Sequence, residues 1–528
     1  MTIVSNKIGI VITGLLLSIL MGAMDNTIVA TAMGNIIGDL GGLDKFVWVT
    51  SAYMVAEMAG MPIFGKLSDM YGRKRFFIFG MIVFMLGSVL CGMATTITQL
   101  ALFRAVQGIG GGALIPVAFT IMLDAVPTEM RGKLGGLFGA VFGMSSIFGP
   151  LLGAYITDHL AWNWVFYINL PLGIVAFSLI AFFYKESPMH SKQRIDWLGA
   201  TTLVGAVICL MFALELGGKT YAWDSAAILS LFGGFTVLAV VFLIAETKAE
   251  EPIISFGLFK QQLYATSILS ALFSGAAFIV ASIYIPIFIQ GVLGGTATNS
   301  GLVLLPMMLG TVVTATTGGF LMTKVSYRAI MIPNFIILVV GTLLVTTLGP
   351  SSSRLTVTLF MILIGLGIGA SFSVLGNAAI HGLSARQRGS ASATLNFIRS
   401  LGMTIGITVF GIVQSHSFAN KLKSAFQGAD GSQGQLPPAF GSGADAHTLL
   451  DPAARANIPP NVLELITNHL SGSITYTFAW AIIPAALALT TALFMGRSRF
   501  DPKEQAALEA GSEVPPERTQ EKARTATV

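Results

Sequence analysis

Fourteen apolar runs, most of them about twenty residues or longer, divide this chain. Coiled as a helix, a run of that length matches the thickness of a bilayer's hydrocarbon core. The runs cover residues 8–33, 46–65, 76–95, 98–124, 134–157, 164–184, 196–215, 226–246, 263–290, 299–322, 329–349, 355–380, 390–415 and 473–496. The expected fold is an all-α polytopic membrane protein with 14 transmembrane helices. The first run continues past Asp25 and lacks a small-residue cleavage site, so it reads as a retained span and not a signal peptide.

An even number of spans places both termini on one side. The cations test this layout. With the N-terminus inside, 22 of the 30 lysines and arginines fall in cytoplasmic segments, among them Arg131, Lys133, Lys192, Arg194, Arg386 and Arg388. The outer segments carry six: Lys45, Lys219, Arg354, Lys421, Lys423 and Arg455. This is the positive-inside bias, and it sets the orientation. It also disposes of a nucleic-acid reading of the net charge of +5, because the cations sit in short loops between apolar spans. Cys91 and Cys209 each lie inside a span and offer neither a disulfide framework nor metal spacing.

Two regions break the pattern. Residues 416–472 read as a long outer loop rich in Gly, Ser, Ala and Pro, with a short helix near Pro460–Leu470. The segment from Asp501 reads as a polar, disordered cytoplasmic tail.

Ionisable side chains inside a membrane are costly, and each is a functional hypothesis. Asp25 falls in the outer half of the first span and Glu57 near the middle of the second. A carboxyl removed from water is easier to bury protonated than charged, so both are candidate proton carriers. Asp124, Asp158 and Glu215 fall at span ends, where headgroup water is the simpler account. Arg104 lies in the fourth span with Gln107 three residues on, on the same face. Arginine keeps its charge, so it needs a counter-ion or a polar cavity unless it snorkels outward. Asp25, at comparable depth, is the expected counter-ion. Asn396 and Arg399 share a face in the thirteenth span, where Arg399 has either an acid or a backbone carbonyl to pair with. Asn26 and Gln107 join Asp25, Glu57, Asn396 and Arg399 as expected substrate-cavity residues. Met54, Met58, Met61, Phe142 and Met144 suit either an adaptable greasy pocket or lipid-facing surface. The run Gly143, Gly149, Pro150 and Gly153 in the fifth span reads as a kinked, closely packed hinge between two bundles.

Two motifs recur. The loop Gly65-Lys66-Leu67-Ser68-Asp69-Met70-Tyr71-Gly72-Arg73-Lys74-Arg75 has a worn copy at Gly319–Arg328, with Thr323 replacing the aspartate. Arg131-Gly132 with Gly149 is echoed by Arg388-Gly389 with Gly406. The offsets are nearly equal, which suggests duplication of a six-helix unit. The expected units are an N-terminal bundle (1–185), two extra helices with cytoplasmic linkers (186–262), a C-terminal bundle (263–500) and the tail (501–528).

The 65–75 loop resembles the signature loop of the major facilitator superfamily. Together with Met24-Asp25-Asn26-Thr27-Ile28-Val29, Arg104 with Gln107 and Gly108, Gly149-Pro150-Leu151-Leu152-Gly153 and Trp162–Pro171, it is similar to the fourteen-helix drug:proton antiporter branch of EmrB/QacA-type exporters. The resemblance implies the major facilitator fold, two six-helix bundles plus two extra central helices. It implies cytoplasmic charge contacts by Asp69 and Arg73 that gate the transport cycle, with Gly65, Gly72, Gly149, Pro150 and Gly153 in the gating set. It associates Arg104 with proton transfer beside Asp25. Two positions depart from the branch: Ser145 and Ala154 stand where its fifth-helix motif usually has glycine.

The expected function is proton-coupled multidrug export of lipophilic, cationic compounds by alternating access, of the kind that confers antibiotic resistance. The alternative is export of an endogenous lipid, siderophore or metabolite on the same scaffold. The expected partners are small lipophilic substrates, protons and the lipid bilayer, with no nucleic acid, and the expected state is a monomer in the cytoplasmic membrane of a bacterium. No nucleotide-binding loop and no His or Cys cluster is present in the sequence, so neither an enzyme nor a cofactor or metal is expected.

Overall fold

The computed structural model describes residues 2–41, 47–126, 131–186, 196–218, 220–295, 297–384, 387–426 and 458–501. Fifteen α-helices are named here in chain order. They are α1 (Thr2–Leu40), α2 (Val47–Tyr71), α3 (Arg73–Gly92), α4 (Ile97–Ala125), α5 (Arg131–His159), α6 (Trp164–Tyr167), α7 (Asn169–Phe183) and α8 (Trp197–Leu216). There follow α9 (Ala226–Lys248), α10 (Gln262–Ile287), α11 (Ala297–Leu321), α12 (Tyr327–Val345), α13 (Arg354–Ala379), α14 (Arg388–Phe426) and α15 (Pro460–Leu493). A single turn at Ile168 separates α6 from α7, so the pair makes one segment and the segments number fourteen among the described residues. Among the described residues twelve segments are long and apolar enough to cross a membrane. The chain is an all-α, multi-pass membrane protein.

The packing falls into two groups. In the first, α1 packs on α4, α5 and α7, α2 on α4, and α3 on α4 and α7. In the second, α10 packs on α13, α14 and α15, α11 on α13, and α12 on α13 and α15. The groups meet where α5 lies on α11 and α13, and where α2 and α4 lie on α14. Helices α8 and α9 pack on each other, and α8 lies against α2.

Several helices outrun their apolar runs. α14 continues to Phe426, and α15 starts at Pro460 as one continuous helix, where a long loop with a separate short helix is expected. The reason is packing beyond the apolar stretch. Phe418 and Leu422, four apart on one face of α14, are buried in the same core as Ile466 and Leu470 of α15. The middle of the expected loop (427–457) and the tail beyond 501 lie outside the described residues, as do Lys45, Lys192, Arg194, Arg386 and Arg455.

Glycine sets how closely α2 approaches α4. A Cβ at Gly108 would meet the Tyr53 carbonyl, and one at Gly112 would meet the Glu57 carbonyl and the Gly60 Cα. Small residues let membrane helices approach backbone to backbone. This seam sets Tyr53 and Glu57 against α4. Gly112→Val should therefore lower stability by about 1–3 kcal/mol through overpacking. Gly22→Val is the control, since nothing lies within 4 Å of a Cβ there. The check is the thermal unfolding midpoint in detergent, expected to fall for the first variant only.

Candidate functional site

Arg104 is fully buried, so the snorkelling reading does not hold. The helix geometry of α4 puts Arg104 and Gln107 on one face, and α1 brings Asp25, also fully buried, against that face. Arg104 Nη1 donates to Asp25 Oδ2 and, at 2.7 Å, to Gln107 Oε1. Its Nη2 donates to Asn26 Oδ1 at 3.0 Å and its Nε to the Val49 carbonyl at 3.3 Å. The Tyr53 ring lies flat beneath, its centroid 4.1 Å from the guanidinium carbon. The expected Asp25–Arg104 pair is therefore present, with Asn26 and Gln107 in its shell.

Two members of that shell escape the sequence reading. Asn169 Nδ2 donates to Asp25 Oδ1 at 2.8 Å, as does Gln107 Nε2. Both amides also donate to Ser88 Oγ, at 3.2 and 2.7 Å. The available signal was a polar residue inside an otherwise apolar run, and Asn169 carries it more strongly than Ser88. The carboxylate thus ties α1 to α4 and α7, and Ser88 brings in α3.

Glu57 is placed differently. It is 9% exposed and makes no hydrogen bond or ion pair among the described residues. Tyr53, one turn earlier, has a buried hydroxyl that also finds no partner. Neither residue lines the apolar groove of about 790 Å³ between α2, α4 and α8, whose walls include Trp48, Ala56, Gly60, Ile63 and Phe212. Met58 and Met61 are buried, whereas Met144 is exposed. The side chain of Phe142 lies outside the described residues.

In the second group of helices Arg399 is 7% exposed. Of the two expected kinds of partner, the structure supplies the carbonyl: Arg399 Nη2 donates to Ser371 O at 3.0 Å. Nη1 lies 3.5 Å from Asn396 Oδ1, and the guanidinium carbon sits 4.9 Å from the Phe372 ring centroid. Asn396 itself donates to the Ser392 carbonyl.

At one end of the molecule the two groups of helices are fastened together. Asp69, near the end of α2, accepts from the backbone N–H of Gly389 at 3.1 Å and of Ser390 at 2.8 Å. It caps the N-terminus of α14, where the helix dipole favours an anion. Arg73 Nη2 steadies the same carboxylate at 3.0 Å and also pairs with Asp124. Asp124, expected only to meet headgroup water, therefore belongs to this cluster, with Arg388 4.0 Å away. Lys66 bridges to Glu251 at 2.6 Å, and Ser390 Oγ donates to the Ile253 carbonyl at 2.7 Å. Gly65 faces Ala393 and the Gly389 carbonyl so closely that a Cβ would collide. Gly72, at φ 108, turns the chain between α2 and α3, a conformation that favours glycine.

The glycine strip of α5 departs from expectation. Gly149 and Gly153 pack against Met24, Thr27, Ile28 and Thr31 of α1, inside the first group and not between the two. Thr27 Oγ1 reaches the Ser145 carbonyl at 3.3 Å. Pro150 is exposed within a continuous helix. The side chain at 143 lies outside the described residues.

A family model described as Major Facilitator Superfamily matches residues 15–407. Multidrug resistance protein 3 of Bacillus subtilis is 54% identical over 93% of this chain and 95% of its own length. The multidrug transporter protein MdtP of the same organism is 40% identical over 79% of this chain and 77% of its own. In architecture the chain is similar to the proton:xylose symporter XylE, with a TM-score of 0.62 at 12% identity over 96% of this chain and 100% of that one.

Asp69→Asn should weaken the fastening at the α14 N-terminus, because a hydrogen bond to a charged acceptor contributes about 1.5–3 kcal/mol. The expected outcome is a longer mean spin-label distance between α2 and α14 at that end, by electron paramagnetic resonance, with Asp25→Asn showing no such change there.

Proposed function

Because the chain belongs to the major facilitator superfamily, we propose that it is a proton-coupled multidrug efflux transporter that exports lipophilic, cationic compounds by alternating access. The observation that carries the coupling is the fully buried Asp25–Arg104 pair, with Gln107 and Asn169 donating to the remaining carboxylate oxygen. Two Bacillus subtilis relatives, named for multidrug resistance and multidrug transport, support the multidrug cargo. Both termini lie in the cytoplasm and the Asp69 end faces inward, which agrees with the lysine and arginine bias. The protein works as a monomer in a bacterial cell membrane. Residues 1–185 and 263–500 are the two moving bundles.

The mechanism follows from the charge balance. With Asp25 ionised, the guanidinium of Arg104 is neutralised and α1 is held to α4. A proton arriving on Asp25 removes that anion and leaves a buried cation, a change worth about 3–5 kcal/mol when one partner of such a pair is lost. Repacking of α1 against α4 relieves it, and the strip Gly149–Gly153 passes the movement to α5. α5 in turn lies on α11 and α13 across the boundary between bundles. Glu57, which makes no ion pair among the described residues, is the second proton carrier and the contact for a cationic drug. The drug replaces the proton without leaving a bare carboxylate in the membrane. The Asp69 contacts close the cytoplasmic side while the cavity faces outward, and they break for loading. Exchange of one proton for one monovalent cation moves no net charge, so the pH difference drives it; a potential of 100 mV adds about 2.3 kcal/mol only for each proton beyond the charge exported.

The test uses purified protein in liposomes with an entrapped pH-sensitive dye. An acid interior is imposed and ethidium is added outside. Substrate-dependent proton efflux is expected from the wild type. Asp25→Asn should abolish it, and Glu57→Gln should reduce it at least tenfold while both variants keep the wild-type elution profile. Full proton-coupled transport by Asp25→Asn would remove that residue from the mechanism.

A further inference from the structure

Arg399 is a buried cation that no charge among the described residues pairs with. Its partners are one backbone carbonyl, a marginal contact to Asn396 and the face of Phe372. No carboxylate lies within ion-pair distance of it among the described residues, and its Nε donates to nothing. Two turns earlier on the same face of α14, the fully buried Ser392 also leaves its hydroxyl without a partner. This is the opposite of Arg104, whose carboxylate, amides and carbonyl account for most of its donors. A charged side chain is retained inside a membrane where a partner or a transported group meets it.

The unmatched cation has a counterpart across the boundary. Glu57 on α2 is a buried carboxyl that makes no ion pair among the described residues, and α2 packs on α14. Met58, next to Glu57, touches Thr404, five residues beyond Arg399: Thr404 Oγ1 lies 3.7 Å from Met58 Sδ. The two opposite charges do not pair with each other. From this pattern we infer that Arg399, with Ser392 two turns away on the same face, binds the anionic group of a lipophilic substrate whose cationic centre meets Glu57. The cargo then includes zwitterions, not cations alone. The fork of N–H donors on a guanidinium suits a carboxylate in particular. A neutral acceptor would leave the buried charge uncompensated. The inference rests on the transport reading above and adds the chemical class of its substrate.

Two fluorescent probes that differ in one group test it: rhodamine B, which carries a carboxylate and a cationic ring system, and its ethyl ester, which is a cation only. Binding to the full chain in detergent is followed by fluorescence anisotropy. Arg399→Gln should weaken rhodamine B binding at least tenfold and change ester binding less than twofold, with Arg399→Lys restoring part of the loss. Equal loss of both probes by a monodisperse variant overturns the inference. If the variant is not monodisperse, the wild type decides: at least fivefold tighter binding of the acid than of the ester supports the inference, and parity overturns it. Proton-coupled export of the ester in liposomes separates the two readings. Ester export with indifference to the carboxylate leaves the transport reading standing and removes this one. Arg399-dependent binding of the acid without proton-coupled movement of either probe does the reverse.

Discussion

A guanidinium with no exposure, in the middle of a membrane protein, dictates most of the geometry of the first helix group. Arg104 cannot lose its charge, so Asp25 must stay beside it. Asp25 has oxygens left over, and these must be satisfied in turn. Gln107 and Asn169 do so, from α4 and α7, and both amides also donate to Ser88 on α3. Four helices are thereby registered to one carboxylate. The close seam between α2 and α4 is the other half of this arrangement, because it lays Tyr53 under the guanidinium. A stable ion pair and a reversible switch place opposite demands on such a network. It is well satisfied while the acid is charged, and it is left with an unbalanced cation once a proton arrives.

The second group has a buried arginine too, held in a contrasting way. Arg399 rests on a carbonyl and a ring, with donors unspent. Arg104 is engaged by its own fold, and Arg399 is left open to something else. The two acids show the same division, Asp25 engaged and Glu57 open. Each group of helices therefore contributes one unmatched charge of opposite sign. The helices that carry them, α2 and α14, meet at the boundary between the groups.

The fold was legible because twenty-residue apolar runs and short cationic loops are direct consequences of the bilayer. The same physics exposed Asp25, Glu57, Arg104 and Arg399, since charge inside an apolar run is conspicuous. What remained hidden had no such contrast. Ser88 is a small polar residue that can satisfy itself on its own helix, so its place beside Asp25 depends on the crossing of α3 with α4. Asp124 sat at a span end, where water explains a charge adequately, and only the fold brings Arg73 to it. The extension of α14 and α15 past their apolar runs was also invisible to hydropathy. It depends on Phe418 and Leu422 finding Ile466 and Leu470 after a long intervening segment. The glycine strip of α5 was seen but misassigned, because glycine announces a close approach without naming the neighbour.

The cap that Asp69 places on α14 uses main-chain donors only. Main-chain donors survive almost every codon change. Position 389 must remain glycine-sized, since a Cβ would meet the Asp69 carboxylate, and proline is barred from either donor position. The rest of the first turn is constrained by burial, since Arg388, Ser390 and Ala391 are all enclosed. The genetic burden of these two hydrogen bonds is thus lopsided: one aspartate side chain on the first half accepts them, and the second half supplies donors that no side-chain change but proline removes.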